Sequence, residues 1–304
     1  MNTISVAEET TASDRGSRTL RLADGRQLGY GEFGDPRGLP VLALHGTPGS
    51  RFMFALTDRE ARDRGLRIIA PERPGYGLSG FRHCRTLAET AEDVKAVADA
   101  LGLERFGLIG VSGGGPHAVA AAAAMPERVS LLALIGPVGP IAECSRHIRM
   151  TTLHRLVFTR MSRSRGACAL FFWTLRTLAR HVPGVAFRLL LQRVTPSDRA
   201  VLLRPEVKAN LQAAIREGLR PGIGGALQDL RLFCGVWNLP LAEIDVPAAL
   251  WQGGDDTIVP PDAACHLACE LPNCRLDVIQ GVGHYWVFGQ FGRMLDAVEA
   301  GLRA

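Results

Sequence analysis

Three residues far apart in this 304-residue chain could together make a hydroxyl reactive: a serine, an aspartate and a histidine, in that order. The serine is in Gly110-Val111-Ser112-Gly113-Gly114, between an apolar run that reads as a strand and an alanine-rich stretch that reads as a helix. Such a sharp turn holds the serine in a strained conformation above the sheet, with room for only small residues two positions either side, here Gly110 and Gly114. The helix that follows points its N-terminus at the same spot. A serine hydroxyl attacks a carbonyl only if a neighbouring base takes its proton. His284, at the end of Gly281-Val282-Gly283-His284, follows the last apolar run and is placed at a strand exit, where sites of open α/β sheets gather.

That imidazole needs an acid to fix its tautomer and stabilise its cation. The preceding strand exit, Trp251-Gln252-Gly253-Gly254-Asp255-Asp256-Thr257-Ile258-Val259-Pro260, supplies two adjacent candidates. Spacing alone leaves Asp255 and Asp256 both open, one to face the histidine and the other to support the turn. A tetrahedral oxyanion calls for two backbone donors. The amide of Gly113 is one, and the loop His45-Gly46-Thr47-Pro48-Gly49 offers the other at Thr47, with His45 and Gly46 in support. Each segment also has a plain reading, as a glycine-rich turn, an ordinary histidine or a loop of breakers. Their common position at strand exits is what favours chemistry.

The elements that must hold these residues are legible in outline. Residues 20–34 alternate around Asp24-Gly25 as a hairpin. Apolar runs at 41–44, 66–70, 106–111, 129–135, 248–251 and 276–279 read as strands, with helical spacing at 50–64, 87–101, 116–124, 262–270 and 288–302. Strands alternating with helices imply a mostly parallel, buried sheet. The alternation stops over 141–240, which is helical in pattern. The chain therefore divides into a flexible lead-in over 1–18, an α/β core of 19–140 and 241–304, and a helical cap of 141–240.

With 47% hydrophobic and 21% charged residues the composition is that of a soluble globular protein. The polar N-terminus carries no apolar h-region, so no signal peptide is expected, and no apolar run is long enough to span a bilayer. Seven scattered cysteines suit a reducing compartment, and the expected location is the cytoplasm. Cys265, Cys269 and Cys274 beside His266 lack the paired spacing of a zinc site, so no metal is expected. The net charge of +5 is uneven: 141–240 holds 16 Lys and Arg against 5 Asp and Glu.

These four segments resemble the capped α/β-hydrolase superfamily, nearest its bacterial esterase-like members with an HG-x-P-G segment and a G-x-S-x-G elbow. The resemblance covers Leu20 to Pro140 and Ile244 to Leu302. It implies the α/β-hydrolase fold: a mostly parallel eight-stranded sheet flanked by helices, with a helical cap inserted after the sixth strand. In that family the acid lies in a G-x-x-D-x-x-V-P pattern. Gly253, Asp256, Val259 and Pro260 match it, which favours Asp256 over Asp255. Family members often carry Asp-x-Arg-Gly after the fourth strand; here Glu72-Arg73-Pro74-Gly75-Tyr76-Gly77 stands instead, a supporting turn expected to leave the triad untouched. Members that attack with aspartate are excluded by Ser112.

The resemblance thus implies a serine hydrolase acting on an ester or thioester of a small-to-medium, partly apolar acyl compound, without a cofactor. A C–C bond hydrolase or lyase on the same triad is the alternative, because the cap sets substrate choice. The cap mixes Phe171, Phe172 and Trp173 with arginines. Its ordinary reading folds those aromatics over the substrate and leaves the arginines in solvent. The positive field would also suit an anionic or carrier-bound substrate, or weak attachment to an anionic membrane surface. No nucleic-acid-binding motif accompanies it.

Overall fold

The computed structural model describes residues 15–84, 86–144 and 148–303. Among the described residues the hairpin and the six apolar runs form eight strands: β1 Arg18–Arg21, β2 Gln27–Gly34, β3 Leu39–Leu44, β4 Leu66–Pro71, β5 Phe106–Val111, β6 Val129–Ile135, β7 Ala248–Gly253 and β8 Cys274–Ile279. They make one sheet in the order β1-β2-β4-β3-β5-β6-β7-β8. β2 is antiparallel to both β1 and β4, and every pairing from β4 to β8 is parallel. The order reverses around β3, whose neighbours β4 and β5 follow it in the chain on opposite sides. A crevice opens at such a switch point beyond the strands' C-terminal ends. The segments beginning at His45 and Ser112 leave β3 and β5 there.

Both faces of the sheet are covered. In β3, Leu42 and Leu44 pack with one apolar cluster while Val41 and Ala43 pack with the other. Alternate side chains of a strand point to opposite faces, so a doubly covered strand reads as a continuous apolar run. One layer holds α2 Leu87–Ala100, α3 Gly114–Ala124 and α11 Pro261–Glu270; the other holds α1 Asp58–Asp63 and α12 Phe291–Arg303. Among the described residues seven α-helices run between β6 and β7: α4 Ile141–Cys144, α5 Thr152–Arg155, α6 Arg165–His181, α7 Pro183–Leu191, α8 Pro196–Leu202, α9 Pro205–Gly218 and α10 Gly224–Cys234. Prolines open α7, α8 and α9, at first-turn positions where the missing N–H costs nothing.

The structure departs from the sequence reading at several element ends. α3 starts at Gly114 rather than residue 116, because Pro116 fits within a first turn, where N–H groups have no intrahelical acceptor. The stretch 50–64 splits into a 3₁₀ turn, Arg51–Thr57, and α1. The last helix begins at Phe291, after a separate turn at Trp286–Gly289. Of the lead-in expected over 1–18, residues 1–14 lie outside the described residues. Its described end is tied down: Arg15 donates to the Gly34 carbonyl at 3.3 Å, Arg51 donates to that of Gly16 at 2.8 Å, and Arg18 already belongs to β1.

Candidate active site

Ser112 follows β5 with φ +53°, in the left-handed region that costs a residue with a Cβ. It is held there by neighbours that admit nothing larger than glycine. A Cβ on Gly110 would lie 2.8 Å from Ala118 Cβ, and one on Gly114 would collide with the carbonyl of Leu44. The Ser112 amide donates to Ile135 O at 2.9 Å, and its carbonyl accepts from Gly115 N at 2.9 Å. The hydroxyl therefore stands at the mouth of α3.

His284 comes to it from the other end of the chain. Its Nε2 is 2.9 Å from Ser112 Oγ and its Nδ1 is 2.7 Å from Asp256 Oδ2. The carboxylate of Asp256 is buried and fully engaged: Oδ1 accepts from the amides of Ile258 (2.8 Å) and Val259 (3.0 Å), and Oδ2 also accepts from Gln252 Nε2 (3.1 Å). Asp255 is exposed beside it and, among the described residues, makes no such contact. An anionic carboxylate at Nδ1 keeps the proton there, so Nε2 is the free base that faces the serine. Burial acts to lower the His284 pKa, but the charge and hydrogen bond of Asp256 outweigh it, and the pKa lies above the ordinary histidine value.

On the other side of Ser112 lie Thr47 and Gly113. A Cβ on Gly113 would sit 2.5 Å from Thr47 Oγ1, so the two residues are directly apposed. Among the described residues, neither amide N–H has a hydrogen-bond acceptor. Two unspent donors beside a nucleophile are what a tetrahedral oxyanion requires. His45 is fully buried behind them, its Nδ1 2.8 Å from Gly46 O and its ring edge-on to Tyr76; burial drives its pKa well below the usual value. It supports the loop as a neutral ring.

Two residues that carry this geometry are absent from the sequence reading, and both come from the helical segment between β6 and β7. Asp198, in α8, is wholly buried and accepts from the backbone amides of His284 (2.8 Å) and Tyr285 (2.7 Å). The carboxylate occupies the space a side chain at residue 283 would need, which is why glycine precedes the histidine. Thr195-Pro196-Ser197-Asp198 has the spacing of an N-cap and an acid at the third helical position, the one sequence signal that points to Asp198. Burial raises its pKa. Asp198→Asn is expected to lower kcat by roughly 10- to 100-fold through a loosened histidine loop. The negative charge of Asp198 helps raise the His284 pKa, so the acid limb of kcat/KM in this variant should also move to lower pH; an unmoved limb would count against that coupling.

Asp229, in α10, is the second. Its Oδ2 accepts from Thr47 Oγ1 (2.6 Å), Arg73 Nη2 (2.8 Å) and Tyr76 OH (2.7 Å), and Oδ1 is 3.2 Å from His117 Nε2. Burial works against its charge, yet Arg73 and the other donors hold its pKa far below the ordinary carboxylate range. Arg73 also donates to the carbonyls of His45 and Gly46. The turn at 72–77 is a supporting turn in direct contact with the site: through Arg73 it anchors the Thr47 loop. Removing one member of a buried ion pair strands the other, so Asp229→Ala should lose about 3–5 kcal/mol of stability. Urea unfolding with an unchanged slope would measure it.

Above Ser112 and His284 is a cavity of about 820 Å³, walled by apolar side chains from both the core and the helical segment, among them Met53, Val138, Phe171, Phe172, Leu211 and Phe233. Trp173 does not line it and is 56% exposed. At 100° per residue, Phe171, Phe172 and Leu175 turn one face of α6 to the cavity and Trp173 falls outside that face. Among the described residues no group of three or more His, Cys, Asp or Glu is placed to hold a metal, and Cys265, Cys269 and Cys274 are free thiols.

A parallel sheet with this strand order, bearing a serine elbow and a histidine–aspartate pair at one edge, defines the α/β-hydrolase class. The chain belongs to that family: its sequence model, described as the alpha/beta hydrolase fold, matches residues 40–289. The chain is 27% identical over 293 residues to 2-hydroxymuconate semialdehyde hydrolase of Pseudomonas putida, covering 91% of each. It is 26% identical over 306 residues to 2-hydroxy-6-oxononadienedioate/2-hydroxy-6-oxononatrienedioate hydrolase 1 of Dechloromonas aromatica, covering 96% of this chain and 98% of the relative. Among solved structures, an alpha/beta hydrolase fold protein from Nakamurella multipartita superposes with a TM-score of 0.70 at 25% identity, over 94% of this chain and 99% of that one. A thermophilic esterase from Thermogutta terrifontis shares the fold, with a TM-score of 0.64 at 23% identity over 94% and 98%. The chain is accordingly a hydrolase by kinship. Among the described residues no helix is long and apolar enough to cross a membrane.

Proposed function

We propose that the chain hydrolyses a carbon–carbon bond next to a ketone or aldehyde carbonyl, with Ser112 as nucleophile, His284 as general base and acid, and Asp256 orienting the imidazole. The observation that carries the mechanism is the hydroxyl of Ser112, 2.9 Å from an imidazole that is itself 2.7 Å from a buried carboxylate, at the floor of a large apolar cavity. The choice of bond is supported by the curated relatives matched over most of their length. The hydroxy-oxo-dienedioates and the semialdehyde in their names contain no ester or amide, so a hydrolase acting on them opens a bond from a carbonyl carbon to carbon.

Ser112 Oγ adds to the carbonyl carbon while His284 takes its proton, and the amides of Thr47 and Gly113 receive the developing oxyanion. The intermediate collapses by breaking the carbon–carbon bond. With the substrate's dienol in its keto form, the electron pair spreads into the adjoining enone, and His284 returns the proton to that carbon. Water, deprotonated by His284, then splits the acyl–Ser112 ester and frees the acid. In sum, the hydroxyl of water ends on the acyl carbon and its proton on the released carbon.

The apolar walls favour a second reading, an ester or thioester of a small-to-medium acyl chain, on the same residues. Steady-state assays separate the two. On the first reading, kcat/KM for 2-hydroxymuconate semialdehyde or a 2-hydroxy-6-oxo-dienedioate exceeds that for p-nitrophenyl butyrate by about a hundredfold or more, two tenfold steps in transition-state stabilisation. Turnover of the ester without turnover of either dienoate would reject it in favour of the second.

A further inference from the structure

Between Glu143 and Asp198 the chain contains ten arginines and no aspartate, glutamate or lysine. Arg155, Arg160, Arg163, Arg165, Arg180, Arg188 and Arg193 are exposed, and among the described residues none of these seven is paired with a carboxylate. The same segment exposes large apolar side chains that a soluble surface ordinarily covers: Leu156 51%, Leu170 65%, Phe171 48%, Trp173 56%, Val185 46% and Leu189 47%. Their placement is not scattered. Leu156, Leu170, Phe171 and Leu189 also line the cavity above Ser112, so they form its mouth, and Trp173 and Val185 lie on the same two helices, α6 and α7, which pack together.

From this juxtaposition we propose that the α6–α7 face docks on an anionic lipid bilayer, with the cavity mouth turned toward the membrane. Arginine is always charged and its planar fork matches phosphate oxygens, and a Trp, Phe and Leu surface interleaved with it has an apolar layer to enter. Neither feature alone selects a bilayer. Together they need a partner that presents negative charge at its surface and hydrocarbon just beneath, over the width of two helices. A second copy of the chain fits poorly, because a two-fold contact of this face would set arginines against arginines. The consequence is delivery: a substrate with an apolar tail would reach Ser112 from the headgroup region rather than from bulk water. Docking is independent of which bond Ser112 opens.

The chain carries its own reporter. Of its four tryptophans, Trp237, Trp251 and Trp286 are buried and Trp173 is exposed, so a change of environment at this face appears in one residue's emission. The full chain is titrated with vesicles of phosphatidylcholine alone and of phosphatidylcholine with about 30% phosphatidylglycerol, following emission and co-sedimentation. A blue shift and binding at least about tenfold tighter on the anionic vesicles, lost in 0.5 M salt (about a 4 Å screening length), are expected. Trp173→Phe should bind but lose the shift. Arg165→Glu/Arg180→Glu and Trp173→Ser/Val185→Ser should release the vesicles while turnover of a water-soluble substrate stays within about twofold, since none of the four residues lines the cavity. Equal binding to neutral vesicles, no sedimentation with either, or concentration-dependent self-association abolished by the same variants would each overturn the proposal.

Discussion

Ser112→Ala is expected to lower kcat by roughly 10⁴- to 10⁶-fold, leaving only what substrate binding and the two amide donors contribute. The size follows from the geometry. Ser112 is the atom that forms the covalent bond, and no other hydroxyl or thiol lies within hydrogen-bond distance of His284 Nε2 among the described residues. The variant should fold, because alanine keeps the Cβ and the backbone bonds of the elbow, from Ser112 N to Ile135 O and from Gly115 N to Ser112 O, do not involve the side chain. Far-ultraviolet circular dichroism and thermal unfolding close to the parent would separate lost chemistry from lost structure.

The second large effect belongs to Asp256. Asp256→Asn should cost roughly 10⁴-fold in kcat, because an amide NH₂ at that position favours the imidazole tautomer with its proton on the wrong nitrogen. It also carries a pH signature. His284 must be neutral to act as a base, and its pKa lies above 6.5 because the Asp256 charge outweighs the opposing effect of burial. The acid limb of kcat/KM in the parent is therefore expected above pH 6.5, rising with pH as the imidazole loses its proton. With asparagine at 256 burial is no longer opposed by that charge, and the limb should move to lower pH. A limb that stays in place would mean that another group controls the profile.

How far the sequence reaches into this site depends on the kind of residue. Ser112, His284 and the Asp255–Asp256 pair were legible because each stands at the exit of a short apolar strand, and strand exits of a parallel sheet meet at one edge. The tie between the two aspartates is resolved by a contact: Asp256 faces His284 at 2.7 Å and Asp255 faces solvent. The strand order, with β3 between β4 and β5, is carried by long-range pairing that a period-two pattern does not encode.

Asp198 and Asp229 show what local pattern hides. Each is a single acid on a helix of a segment read as amphipathic, where an aspartate is ordinarily solvated. Asp229 lies between buried Ala226, Leu230 and Phe233, and an acid on an apolar face is a legible oddity, but its partners Thr47 and Arg73 are 182 and 156 residues away. Trp173 errs in the opposite direction. An aromatic cluster suggested a substrate wall, and helical rotation turned one of its three rings to the outside. The basic charge of 141–240 was countable from composition; that three of its exposed arginines, Arg165, Arg180 and Arg188, share two helices with an apolar cavity mouth needed the fold.

The proposed chemistry stands or falls on the reactivity of one hydroxyl. Treating the purified chain and its Ser112→Ala variant with a fluorophosphonate, then mapping peptides by mass spectrometry, tests it most directly. The expected result is one adduct per chain on the peptide containing Ser112, formed more slowly as the pH falls below the His284 limb, and none on the variant. Labelling of Ser112→Ala at the parent rate, or an unreactive parent that is folded, would contradict the account.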